Sequence, residues 1–397
     1  MNLEPKTKIK LDHLGQFYAA VNSENNPGTF SVSAHLKEPL VPKTLQHAVN
    51  DLMQRLPFLN VSSKQGFMWH YNEVLATPPK VISEKEFPAL CSPFKKGNNH
   101  QIRIIYGERS FTIEVLHTVC DGRSLAMVVS SLLARYFELL GEEINKEGLV
   151  DCKEPMQMEE GEDAYARYAD LRKVKSESRK VVYVPKYQPA TTQIMIQKID
   201  LAQIKAKAKS LGLTITEYIM AHICSGFAKQ RTKDNCTNAI TVNVPIDCRG
   251  FFPSISLRNF VSHKTVAMPE STCFTEMGQG IKNQFAEITS DYIQSKISEM
   301  ERLMRRGKFL PLFMKNQIIR KVGQDESAGY TTGFSNLGLI RLPIELQEKI
   351  EAFSFALGAE PNMPYQFACV AVGDTLTLTI TTTARDTEII DRIVNAL

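Results

Sequence analysis

The chain of 397 residues has none of the marks of a membrane span, a metal site or a disulfide framework. No apolar run approaches the roughly 20 residues that a spanning helix requires, so no integral membrane segment is expected. Met1 to Lys10 is polar and charged and has no signal-peptide apolar core. The eight cysteines are scattered from Cys91 to Cys369 without a C-x-x-C pair. That spacing indicates neither zinc nor stapling disulfides, and a reducing cytoplasm is the expected compartment. His222 and His263 stand alone, without metal-ligand spacing. There is no G-x-x-x-x-G-K-S/T phosphate loop and no G-x-S-x-G nucleophile elbow. The net charge of +4 is small for the length and makes no case for nucleic acid or a membrane surface.

What is there reads as a mixed α/β protein of two lobes, because the length exceeds one ordinary core. An N-terminal lobe over 1–165, a crossover linker over 166–192 and a C-terminal lobe over 193–397 are expected. Thr29 to Leu36 reads as a strand, Pro42 to Leu56 as a helix with Pro42 in its first turn, and Phe67 to Tyr71 as strand-like. Gln101 to Tyr106 and Ser110 to His117 form a hairpin across Gly107-Glu108-Arg109. Glu154 to Asp163 is acidic and Arg167 to Lys186 basic, which fits a solvated helix and linker. Beyond it come a strand over 193–199 and a helix capped by Asp200. A capping box at Thr214-x-x-Glu217 opens a further helix. Ala239 to Pro245 reads as a buried strand, Asp291 to Arg306 and Pro311 to Val322 as helices, and Thr331 to Leu342 as loop and strand. Gln366 to Thr382 is a closing hairpin across Gly373-Asp374, before a last helix from Asp386. A shift of 265 positions lays Gln101 on Gln366, Thr112 on Thr377, Asp121 on Asp386 and Val129 on Val394. The architecture hairpin, short loop, helix is therefore used twice.

The first copy alone carries a histidine. Leu116-His117-Thr118-Val119-Cys120-Asp121-Gly122 reads H-x-x-x-D-G. Phe111, Ile113 and Val115 alternate with Thr112, Glu114 and Leu116 as in a strand, and His117 leaves it on the more apolar face. Asp121-Gly122 ends the strand, and Leu125, Val128, Val129, Leu132, Leu133, Tyr136 and Leu140 follow at helical spacing until Gly141. A histidine at such a junction is held rigidly yet still meets a ligand. Its neutral imidazole suits a general base near neutral pH. Gly122 provides either an unusual backbone angle or room for close approach.

With this motif the chain resembles the chloramphenicol-acetyltransferase-like superfamily. That superfamily includes plant-type CoA-dependent acyltransferases, peptide-condensation domains, wax-ester synthases and alcohol acetyltransferases. The likeness runs the length of the chain and is strongest to standalone bacterial alcohol-acetyltransferase-like proteins. It rests on Leu11-Asp12, Val32 to Pro39, Glu114 to Gly122, Val244-Pro245-Ile246-Asp247-Cys248-Arg249, Leu257-Arg258-Asn259-Phe260 and Phe334-Ser335-Asn336-Leu337-Gly338. The second histidine found before the motif in most condensation domains is here Leu116, and the plant-type D-F-G-W-G is absent. The first departure weakens a peptide-condensation reading, and the second argues against the plant branch.

The resemblance implies two chloramphenicol-acetyltransferase-like lobes, each a sheet covered by helices, with an interlobe tunnel. His117 would be the catalytic base. Asp121 would pair with Arg249 to hold the loop rather than orient the histidine. Asn336 and Ser335 would serve the oxyanion or position substrate, although Asn336 also reads as an ordinary Asn-Leu-Gly turn residue. Asn259 is a weaker candidate, and Tyr330, Thr331 and Tyr365 lie near these segments. The expected reaction is acyl transfer from acyl-CoA, a cosubstrate rather than a bound cofactor, to a small alcohol or amine, without metal. Two rivals are an amide-forming enzyme fed by a separate acyl-carrier protein, and a non-catalytic binding relic of the fold.

Overall fold

A computed structural model describes residues 3–24, 26–87, 90–95, 97–171, 182–268 and 273–397. Part of the expected linker, 172–181, lies outside the described residues. The first half runs β1 (Lys8–Lys10), α1 (His13–Val21), β2 (Thr29–Leu36), α2 (Pro42–Arg55), β3 (Val61–Gln65), β4 (His70–Val74), β5 (Val81–Ser83), β6 (Ile102–Tyr106), β7 (Ser110–Leu116) and α3 (Gly122–Leu139). After a short α4 (Ala164–Tyr168), the second half runs β8 (Pro189–Asp200), α5 (Leu201–Ser210), α6 (Ile215–Lys233), β9 (Thr241–Asp247), β10 (Val261–Ala267) and α7 (Phe274–Ala286). It continues with α8 (Ser290–Arg306), α9 (Leu312–Ser327), β11 (Thr332–Ile340), α10 (Ile344–Gln347), β12 (Ile350–Leu357), β13 (Tyr365–Val372), β14 (Thr375–Ala384) and α11 (Glu388–Val394).

Local chemistry accounts for many of these boundaries. Asp12 accepts the Gly15 N–H at 2.7 Å and caps α1, and Asp200 does the same for α5 through Gln203 at 2.7 Å. Thr214 and Glu217 form the expected reciprocal box at the start of α6. The strand expected over Phe67–Tyr71 is displaced. Gly66 donates to the Trp69 carbonyl at 3.0 Å, so residues 66–69 turn between β3 and β4, and the apolar run there is a hairpin tip.

Three sheets result: β1-β4-β3, the five-stranded β12-β2-β7-β6-β5, and the six-stranded β10-β9-β11-β13-β14-β8. The first large core lies between the five-stranded sheet and α2 and α3, with Phe111, Ile113 and Val115 of β7 fully buried in it. The second joins the six-stranded sheet to α6 and α11. The arrangement is mixed α/β, two sheets each covered by helices, and no sheet closes into a barrel. The two halves are interleaved. β12, from the second half, pairs antiparallel with β2 of the first, and Ala368, Val370 and Val372 of β13 enter the first core. The hairpin–loop–helix read twice in the sequence is β6-β7-α3 and β13-β14-α11, each hairpin antiparallel. All eight cysteines are free thiols.

Candidate active site

β7 ends at Leu116, and the chain leaves it held by one more bond, His117 N–H to the Gly28 carbonyl at 3.0 Å. The His117 imidazole stacks on Tyr18 of α1, with centroids 4.5 Å apart and planes 3° from parallel. The Phe30 ring of β2 also packs on it, 4.7 Å away and tilted by 57°. The ring is thus clamped while part of the residue remains exposed.

Its Nδ1 meets Asn259 Oδ1 at 3.0 Å. The orientation of that amide follows from its other contacts. Nδ2 donates to the His117 carbonyl at 2.9 Å and to both Asp12 oxygens at 3.2 and 3.3 Å. A carbonyl and a carboxylate require a donor, so a flipped amide would place oxygen against oxygen. Oδ1 therefore accepts from Nδ1–H, and the lone pair resides on Nε2. The partner of one ring nitrogen fixes the tautomer of the other. Burial pulls the His117 pKa below its ordinary value of 6.5, opposed by Asp121, the Asn259 bond and Asp12.

Two buried aspartates flank this histidine, and distance separates their behaviour. Asp121 is the N-cap of α3, taking the Ser124 N–H at 2.9 Å. Its other oxygen takes Arg249 Nη1 at 2.9 Å and the Phe260 N–H at 2.8 Å. Burial opposes ionisation of its carboxyl, but Arg249 and these donors together hold the pKa below the usual value. Asp12 has its guanidinium, Arg258, only at 3.5 Å, and burial prevails there, raising the pKa. Arg249 spends all its donors. It reaches Asp247 at 2.9 Å, Ser124 Oγ at 3.0 Å, and the carbonyls of Ser256 and Arg258 at 2.7 and 2.8 Å. The 248–260 segment of the second half is thereby stitched onto the motif loop of the first.

Gly122 has no positive φ. A Cβ there would lie 3.0 Å from Leu337 and 3.2 Å from Phe355, so close approach, not backbone angle, requires glycine. Ser335 and Asn336 sit on β11 opposite Ala368 and Cys369 of β13. The Asn336 amide is committed to Thr216 Oγ1 at 2.8 Å and, through its oxygen, to the Gly338 N–H at 2.7 Å. Gly338 lies at φ 72°, so the Asn336 oxygen braces a turn there, and Leu337 approaches Gly122 of the motif. Thr331 is buried and donates to the Tyr183 carbonyl at 2.6 Å, and the Tyr365 hydroxyl donates to the Asp386 carbonyl at 3.1 Å. A cavity of about 260 Å³ beside the motif is lined by Ala19, Asn22, Ser63, His70, Gln101 and Leu116 among others. It belongs to the first half rather than to the space between lobes. Tyr18 and the role of Asp12 escaped sequence reasoning. The available signal was Asp12 as a helix cap before His13–Val21.

No family model matches the sequence and no curated protein matches it. Among solved structures the chain is similar to polyketide synthase associated protein 5 from Mycobacterium tuberculosis, with TM-score 0.65 and 14% identity over 100% of this chain and 97% of that one. It is also similar to the epimerization domain from the third module of tyrocidine synthetase B, with TM-score 0.61 and 12% identity over 100% and 95%. The first condensation domain of the CDA synthetase gives TM-score 0.61 and 12% identity over 100% and 95%. The fold is therefore that of these condensation and epimerization domains. Condensation and epimerization domains share it, so fold alone does not name the reaction.

Proposed function

We propose that this protein is an acyl-CoA-dependent O-acyltransferase of the alcohol-acetyltransferase-like kind, with His117 as its catalytic base. The observation that carries the reading is the oriented Asn259 amide, which leaves the His117 lone pair on Nε2. In the proposed step Nε2 takes the proton of an acceptor hydroxyl as its oxygen attacks the thioester carbonyl. The tetrahedral intermediate then collapses, the C–S bond breaks, and the imidazolium returns its proton to the leaving thiolate. The products are an ester and free CoA. Asp12 and Asp121 favour the imidazolium electrostatically. Asp121, Gly122 and Arg249 hold the loop that carries His117. Acyl-CoA and a small alcohol would meet at His117 between the lobes, with Ser335 on the flanking strand, and the reduced cysteines suit a reducing cytoplasm.

The amide-forming alternative, with a carrier-bound donor, draws support from whole-chain likeness to condensation domains. Mass spectrometry after incubation with acyl-CoA or an acylated carrier separates the two. The deciding experiment is a CoA-release screen of several acyl-CoAs against pooled alcohols and amines, with hydrolysis subtracted. His117→Ala should lower turnover by roughly 10²–10⁴-fold. Turnover unchanged by that substitution would refute the role of His117 and favour a non-catalytic protein.

A further inference from the structure

Three of the chain's 20 phenylalanines are exposed among the described residues, and all three lie at one tip. Phe67 is 82% exposed, Phe309 81% and Phe313 64%. The β3–β4 turn is fastened to the start of α9 there. Leu312 N–H donates to the Phe67 carbonyl at 3.0 Å, and Lys315 Nζ donates to the Met68 carbonyl at 2.7 Å. The same Lys315 nitrogen sits 3.1 Å from the centre of the Trp69 ring. Leu303 of α8, and Met314 and Ile318 of α9, extend the apolar surface. The chain that carries two of these rings is basic, with Arg305 paired back to Glu301 at 3.0 Å. From Arg302 to Gln324 there is no acidic residue, and Arg305, Arg306, Lys308, Arg320 and Lys321 are exposed. The modest net charge of the whole chain conceals this concentration. Apolar residues exposed singly are ordinary, but a contiguous patch marks an interaction site.

We propose that this tip seats the protein on an anionic lipid bilayer. Phenylalanines this exposed protrude, and a fluid acyl boundary surrounds protruding rings more readily than a rigid partner surface does. Basic side chains beside them match anionic headgroups. None of the described helices is long and apolar enough to cross a membrane, so the attachment is peripheral. One helix, α9, runs from the seat to the wall of the site. Gly323 of α9 packs against Phe17 and Val21 of α1, the helix whose Tyr18 covers His117. A bilayer-dissolved substrate would then be delivered beside α1.

The test is flotation of the full chain with vesicles of phosphatidylcholine alone or mixed with phosphatidylglycerol. Stronger binding to the mixed vesicles, weakened by salt, is expected. Phe309→Ser with Phe313→Ser should lower partitioning roughly tenfold or more without changing the melting temperature. Arg306→Glu with Lys308→Glu should abolish the preference for anionic vesicles. The proposal is overturned by absence of vesicle binding, or by binding that both variant pairs leave unchanged. It is equally overturned if the patch instead mediates a dimer or captures an acidic carrier protein while vesicles go unbound. No outcome depends on acyl transfer.

Discussion

Removing the Arg249 guanidinium should destabilise the protein more than any exposed charge deletion. Asp121 is 3% exposed, and Arg249→Met leaves its carboxylate without a countercharge. Breaking a buried pair from one side typically costs about 3–5 kcal/mol. Asp121 would keep the Ser124 and Phe260 N–H groups, which places the expected loss near the lower end, about 3 kcal/mol. Asp121→Asn should cost about 2 kcal/mol, because its new N–H₂ must face a donor in either orientation, Ser124 N–H on one side or Phe260 N–H and Arg249 on the other. The double variant should cost less than the sum of the singles by about 1–2 kcal/mol, since neither charge is then orphaned. Urea unfolding of the four proteins measures this. The folded pKa of Asp121 is depressed, so its contribution is complete above the unfolded value and is lost as pH falls through the folded one. The gap between wild type and Asp121→Asn should therefore persist in mildly acidic buffer and close below the ordinary value of 3.8. Strict additivity, or an Arg249→Met cost below about 1 kcal/mol, would refute this account of the loop.

Asn259→Ala removes the acceptor for Nδ1–H and a donor to Asp12; it should lower turnover roughly 10–100-fold and stability by about 1–3 kcal/mol. Assaying Asn259→Asp alongside separates positioning from packing, because a carboxylate still accepts from Nδ1–H yet repels Asp12. Burial lowers the His117 pKa, so the base stays neutral to lower pH than a free imidazole. The acid limb of kcat/KM should accordingly lie below 6.5, and a limb at or above that value would show that burial does not dominate. Gly226→Ala drives a Cβ to within 2.5 Å of the Ile393 side chain. It should cost about 1–3 kcal/mol by overpacking α6 against α11, read by thermal melting.

Periodicity and capping are local, and elements governed by them were legible in advance. The β6–β7 hairpin, α3, the Thr214–Glu217 box and the closing β13–β14 hairpin fall where alternation and caps place them. Elsewhere local signals misled or were silent. Phe67, Met68 and Trp69 have strand composition but form a turn, because Gly66 allows the chain to fold back. α1 lacks an acidic first turn and a basic last turn, so little but Asp12 announced it.

The sequence by itself determined a mixed α/β protein with one H-x-x-x-D-G junction, and it singled out His117, since strand parity and a helix start are short-range facts. The tertiary structure decided what surrounds that histidine. Asn259 lies 142 positions from His117 and 247 from Asp12, and no periodicity links such distances. It also decided that β12 crosses into the first sheet, that Asn336 turns to Thr216, and that three scattered phenylalanines share one basic tip. Each depends on which distant surfaces gain most by burial together, a property of the packed whole and not of any window of sequence.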